Sequence, residues 1–248
     1  MIIKSRYKTY PLVVHAPDWE KNKFWPNLVR LFCKENQVIA SADLTIVTWN
    51  NLHEGVFEKS LRLKNVPFTL KGSSDVTWSN YNKFKYNIEV AKTCGTKYLM
   101  GCDSHDVILT GDPIEIVKRF EQMECKMLFN CEKHFYPNLS EPILQGWKSF
   151  QKKVSESKYQ FLNAGIWIGE TNFCLEFFQR ANQIRVYDLF DCEPYEYLKE
   201  SSIGCDQSSL HHIFSEYYPE VMLDYGCEIF FNISLPEEDE LTIELPML

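Results

Sequence analysis

Several things are missing from this chain of 248 residues, and each absence excludes something. It has no C-x-x-C pair, and its nine cysteines (33, 94, 102, 125, 131, 174, 192, 205 and 227) are scattered. That argues against a zinc site and for reduced thiols, several of them in apolar runs where cysteine acts as a small hydrophobe. No apolar stretch approaches the roughly 20 residues of a membrane span. The first residues, Met1 to Lys8, carry positive charge with no apolar segment after them, so no secretory signal is expected and a cytoplasmic setting is. Without a leader, the two N-x-S sequons, at Asn138 and Asn232, read as chance. Basic residues are never clustered and the net charge is -8, which argues against nucleic acid as a partner. A nucleotide is not excluded, since one metal and a lysine can meet its few phosphates. Glycine is sparse, at 10, against 17 Phe, 13 Tyr and 6 Trp, so the core should be rich in aromatics.

Strand-like and helix-like segments alternate, which predicts an α/β fold with a mixed, mainly parallel sheet flanked by helices. Strands are expected at Leu12–His15, Leu44–Trp49, Tyr98–Asp103, Lys126–Asn130, Phe161–Gly169, Val221–Asp224 and Glu228–Ile233. Val66–Leu70 should be an edge strand, because Pro67 removes a ladder donor. Helices are expected within Trp19–Glu35, with Pro26 near its start, and over Ser79–Cys94, Pro113–Phe120, Thr171–Arg185 and Asp206–Tyr217. Residues 133–160, with Pro137, Pro142 and Gly146, read as an irregular loop able to close over a site. There is no composition break, so residues 1–235 are expected to form a single domain. Residues 236–248 read as a solvated acidic tail.

The run Tyr98-Leu99-Met100-Gly101-Cys102-Asp103-Ser104-His105-Asp106 carries the most chemistry. A buried strand ends in two aspartates three residues apart, at its C-terminal end, where open α/β sheets bind ligands. Two carboxylates there suit a divalent cation that holds a phosphate. They also suit a simple turn. Small residues after Asn163 would let a ligand approach the backbone, or would mark a bulge. Asp206 and Gln207 open a helix, where an acid is stabilised with or without a further role.

In sequence order these pieces resemble the GT-A (Rossmann-like) glycosyltransferases, and among them the sugar-transferring domain of collagen lysyl hydroxylases and their relatives. The resemblance runs from Asn82 to Ile233. It rests on Asn82-Lys83-Phe84-Lys85, Asp103 to Leu109, Phe161-Leu162-Asn163-Ala164-Gly165, Asp206-Gln207, and Leu223-Asp224-Tyr225 followed by Ile229-Phe230-Phe231-Asn232. It implies a UDP-sugar donor, Mn²⁺ or Mg²⁺, and a hydroxyl acceptor on a glycan, protein or small molecule. Asp103, Asp106 and Asp224 match metal-binding positions, and Asp103 also faces the donor. Lys83 matches a lysine that reaches the donor phosphates, and His105 lies where a ring can stand beside the uracil. Asn163, Asp206 and Gln207 would line the sugar and acceptor, with Asn163 and Asp206 nearest the chemistry. One departure stands out: where the family has a histidine that completes the metal shell, this chain has Tyr225. Neutral tyrosine is a poor ligand for such a cation. Water, Asp224, His211 or His212 would then have to serve. The competing readings are a metal-dependent phosphohydrolase or nucleotidyltransferase, and a non-catalytic binder of sugar nucleotides or glycans.

Overall fold

The alternating pattern builds a six-stranded sheet whose two faces bury alternate residues. A computed structural model describes residues 2–5, 9–17, 25–136, 141–184, 205–233 and 241–244. The elements run β1 (Ile2–Ser5), β2 (Val13–His15), α1 (Trp25–Phe32), β3 (Leu44–Trp49), α2 (Val56–Leu63) and β4 (Thr69–Lys71). Next come α3 (Asn82–Ala91), β5 (Tyr98–Asp103), β6 (Val107–Leu109), α4 (Pro113–Glu121), β7 (Met127–Glu132) and α5 (Glu141–Val154). The last are β8 (Phe161–Glu170), α6 (Thr171–Ala181), α7 (Asp206–Tyr217), β9 (Val221–Leu223), β10 (Phe230–Asn232) and β11 (Leu241–Glu244).

The main sheet has the order β4-β3-β5-β8-β7-β9, with β8 antiparallel to both neighbours and the other pairings parallel. The mixed, mainly parallel α/β architecture is therefore as expected, and β4 is the predicted edge strand. Because side chains alternate across a strand, β3 sends Val47 and Trp49 to one core and Leu44 and Ile46 to the other. On the first face, α6 buries Phe173, Cys174, Phe177, Phe178 and Ala181, the stripe its periodicity predicts. The second core lies under α2 and α4, where Phe57, Leu61, Ile116 and Phe120 are buried. A three-stranded sheet, β10-β2-β6, stands beside the main one, with β2 parallel to β10 and antiparallel to β6.

Two readings are corrected. Residues 141–154 are a helix, not an irregular loop. Pro142 lies in its first turn, where a missing N–H leaves no hydrogen bond unmade, and Trp147 and Gln151 bury its inner face. Helix α3 starts at Asn82, three residues after the expected Ser79, with Tyr81 before it and no side-chain cap. Within the acidic tail, Leu241–Glu244 pairs with Ile2–Ser5. Asn232 is fully buried in β10, so that sequon is not a glycosylation site in the folded chain. Asn138 lies outside the described residues. The eight described cysteines are free thiols. No described helix is long and apolar enough to cross a membrane.

Candidate active site

Strand ends and helix starts converge on one cavity of about 520 Å³. Its walls include Asp103, His105, Asp106, Lys83, Asn163, Asp206 and Gln207. The sequence-predicted residues thus come together, with Asp224 the exception.

The floor is a trio of potential ligand groups, His15, Asp103 and Asp106, whose donor atoms all lie within 4.8 Å of one another. Asp103 ends β5. Asp106 immediately precedes β6, and β6 pairs with β2 so that Val107 lies opposite His15. The ladder therefore carries His15 to Asp106, with Nε2 and Oδ2 3.1 Å apart. Sequence reading treated His15 only as the end of an apolar strand. The signal was there in the parallel with Asp103: an apolar run that ends abruptly in a potential ligand.

A cation fits this trio on two observations. The first is the donor set, one imidazole and two carboxylates, which suits Mn²⁺ or Mg²⁺. The second is Gly165. In the β7–β8 ladder Phe129 pairs with Trp167, but Asn130 pairs with Asn163, so β8 bulges between them. The bulge turns Gly165 toward the trio, where a Cβ would fall 2.5 Å from His15 Cε1 and 2.8 Å from Asp103 Oδ2. Only glycine leaves that space open. The bulge expected of the small residues after Asn163 is this feature.

Charge in the cavity is tightly paired. Lys83 Nζ lies 2.6 Å from Asp103 Oδ1 and 3.4 Å from Asp206 Oδ2, and stands 5.4 Å over the Trp49 ring. Burial disfavours the ammonium, but the surrounding aspartates outweigh it and hold Lys83 charged. Burial likewise pushes His15 down, while Asp106, Asp103 and Glu132 push it further up, for a net rise above 6.5. Burial raises Asp103 despite Lys83, whereas His15 and Lys83 bring Asp106 below its usual value.

Asn163 and Gln207 line the cavity but spend their side chains on its framework. Asn163 Oδ1 accepts from Gly165 N at 3.0 Å and from Asn130 Nδ2 at 3.3 Å. Gln207 donates to Glu132 Oε1 at 2.7 Å and to the Tyr136 carbonyl at 2.8 Å, and accepts from Ala164 N. Glu132, which the sequence reading overlooked, is a buried carboxyl pushed up by burial to about 7.

The late motif does not reach the cation trio. Asp224 takes backbone hydrogen bonds from Glu228, Ile229 and Phe230, each 2.8 Å. Its carboxylate staples the turn between β9 and β10 and is not among the cavity residues. The Tyr225 hydroxyl donates to Gln151 of α5 at 2.8 Å. His211 packs against Phe135 and Trp147, and burial lowers it to about 3. His212 is exposed. His15, from the other end of the chain, is the third potential ligand group beside Asp103 and Asp106.

Residues 79–188 match the family model of the PLOD GT domain, the glycosyltransferase domain of collagen lysyl hydroxylases. Over this segment the chain is glycosyltransferase-like. The match takes in Lys83, Asp103, Asp106, Asn163 and Gly165, and leaves out His15 and Asp206. Among solved structures, the chain is similar to a glycosyltransferase involved in the glycosylation of the major capsid of PBCV-1. The identity is 12% over 73% of this chain and 80% of that chain, with a TM-score of 0.44. No curated protein sequence matches.

Proposed function

We propose that the protein is a glycosyltransferase that moves a sugar from a nucleotide-sugar, a UDP-sugar, to a hydroxyl acceptor with the help of Mn²⁺ or Mg²⁺. The observation that carries the reading is the trio His15, Asp103 and Asp106 with Lys83 beside it, in a cavity to which the glycosyltransferase-like segment contributes Lys83, Asp103, Asp106 and Asn163. Transfer breaks the bond between the anomeric carbon and the diphosphate and forms one to the acceptor oxygen. The acceptor hydroxyl loses its proton, and a nucleoside diphosphate departs. His15, Asp103 and Asp106 would hold the cation, which would supply Lewis-acid stabilisation to that leaving group. Lys83 adds a fixed positive charge on the same side. Asp206, at the positive end of α7, orients the acceptor or the sugar hydroxyls. Asn163 and Gln207 act one step back, by fixing the backbone of the β8 bulge.

The test is product analysis with a panel of nucleotide-sugars and simple hydroxyl acceptors, with and without Mn²⁺. Metal-dependent release of UDP that Asp106→Ala abolishes supports the proposal. Release of inorganic phosphate or pyrophosphate instead would favour a phosphohydrolase or nucleotidyltransferase.

A further inference from the structure

Two cysteines, Cys131 and Cys227, meet behind the cavity, and the reaction just described uses neither. Cys131 stands near the end of β7, past Phe129, where the pairing with β9 stops. Cys227 lies in the turn between β9 and β10. Each is 1% exposed and each is a free thiol. One oxygen joins them: the Asp224 carbonyl accepts from Cys131 Sγ at 3.0 Å and from Cys227 N at 2.9 Å. The two thiols also interact directly. Cys227 is held at both of its backbone groups, since Thr9 Oγ1 donates to its carbonyl at 2.8 Å. Its φ is 53°, in the left-handed region where a Cβ is disfavoured. A thiol thus sits at a backbone position that glycine would take more easily, and it faces a second thiol.

The segments around both cysteines hold other parts of the molecule. On either side of Cys131, Asn130 donates to Asn163 Oδ1 at 3.3 Å and Glu132 accepts from Gln207 Nε2 at 2.7 Å. Both bonds belong to the cavity framework. The turn that bears Cys227 grips helix α5 and its exit, through the Tyr225 hydroxyl on Gln151 and Ser157 Oγ on the Tyr225 carbonyl, each at 2.8 Å. A covalent link between the two cysteines would therefore tie the back of the cavity to the turn that anchors α5.

We infer that Cys131 and Cys227 are a dithiol switch, which a small-molecule disulfide such as oxidised glutathione closes into a bond that staples β7 to the β9–β10 turn. One thiolate attacks the small disulfide, frees one thiol and leaves a mixed disulfide. The second thiolate then displaces the other half. The chain loses two S–H bonds and gains one S–S bond, while the oxidant's S–S bond is cleaved and its halves leave as two thiols. Burial raises the Cys131 thiol well above its ordinary value, so the closed fold holds it as a thiol and not as the reactive thiolate. Oxidation waits on local opening of the turn, and the bond, once made, opposes that opening. The link also closes a long loop of the unfolded chain, where a cross-link stabilises most. None of this depends on what the cavity binds.

The experiment incubates the folded protein with oxidised glutathione until thiol loss stops, blocks the remaining thiols with iodoacetamide and maps the proteolytic peptides by mass spectrometry. The expected product has lost two of its nine thiols and contains one peptide pair joined through Cys131 and Cys227. Its Tm should rise by about 5 °C or more, and a reductant should reverse the rise. Cys227→Gly, which suits the positive φ and so should fold, is expected to form no bond at Cys131 and to show no such rise. An arrest at the glutathione adduct, a bond joining any other pair, no thiol loss, or an oxidised protein with unchanged or lower Tm overturns the inference. The same rise in Cys227→Gly overturns it too.

Discussion

Replacing Gly165 by alanine puts the cation site to its sharpest test. The new methyl would stand 2.5 Å from His15 Cε1, 2.8 Å from Asp103 Oδ2 and 3.0 Å from His15 Nε2. Neither neighbour retreats easily. His15 belongs to a strand paired on both sides, and Asp103 is anchored to Lys83 at 2.6 Å. Gly165 is not among the glycines with positive φ, so alanine suffers no backbone strain of its own. Restricting the unfolded chain returns about 0.4–1 kcal/mol, against about 1–3 kcal/mol for overpacking. The net stability loss is thus about 0–2.6 kcal/mol, and each kcal/mol lowers Tm by about 2–4 °C in a chain of this size. Metal binding should suffer far more, because the methyl takes the space a ligated ion needs and pushes two of its three ligands apart. A loss of about ten- to a hundredfold in Mn²⁺ affinity is expected, the range seen when support of a metal site is disturbed. Calorimetric titration with Mn²⁺ reads this directly. Gly146→Ala on the exposed face of α5 is the control: its Cβ meets nothing within 4 Å, so it should add about 0.5–1 kcal/mol of stability and leave Mn²⁺ affinity alone. A folded Gly165→Ala protein that binds Mn²⁺ as the wild type does would refute a cation between His15 and Asp103.

Asp224→Asn should destabilise the fold by about 1.5–3 kcal/mol by weakening charge-assisted bonds to three backbone N–H groups, measured by urea unfolding. Its Mn²⁺ affinity should stay unchanged, and a loss there would restore Asp224 as a ligand. Lys83→Met removes a positive charge from beside the trio, so Mn²⁺ alone should bind about tenfold tighter or more, while UDP binds more weakly. Separate titrations decide this, and weaker Mn²⁺ binding would contradict it. The His15 pKa is raised on folding, so its pairing with Asp106 stabilises the metal-free protein below pH 6.5. That contribution fades as pH rises through the higher folded value. Metal needs the neutral ring, so the Mn²⁺-induced rise in Tm should grow over the same interval. Scanning calorimetry at several pH values checks both trends.

Local patterning made the sheet legible, since buried strands and amphipathic helices announce themselves within ten residues. The carboxylates at the end of β5 were legible for the same reason: the strand and its cargo are adjacent in sequence. His15 was not, because its role depends on Asp106, 91 residues away, and only the β2–β6 pairing joins them. Asp224 misled in the opposite direction. Its surroundings are local, but a carboxylate that caps three N–H groups leaves no mark distinguishing it from one that holds a cation. Helix α5 was hidden by Pro142 and Gly146, whose usual meaning reverses at a first turn and on an exposed face. Asn163 and Gln207 line the cavity, yet no sequence reading could tell that their amides face the framework.

The trio draws its groups from two sheets. Asp103 belongs to the six-stranded sheet, His15 to the three-stranded one, and Asp106 lies on the link between them. A bound cation would therefore act as a rivet across the seam. Slippage of one sheet along the other would spoil its coordination, and its capture would slow the opening of that seam. Cation affinity then becomes a strain gauge for the whole molecule. A substitution on the far flank of β10, well away from the cavity, should register as altered metal binding and as altered hydrogen exchange in β2 and β5 together.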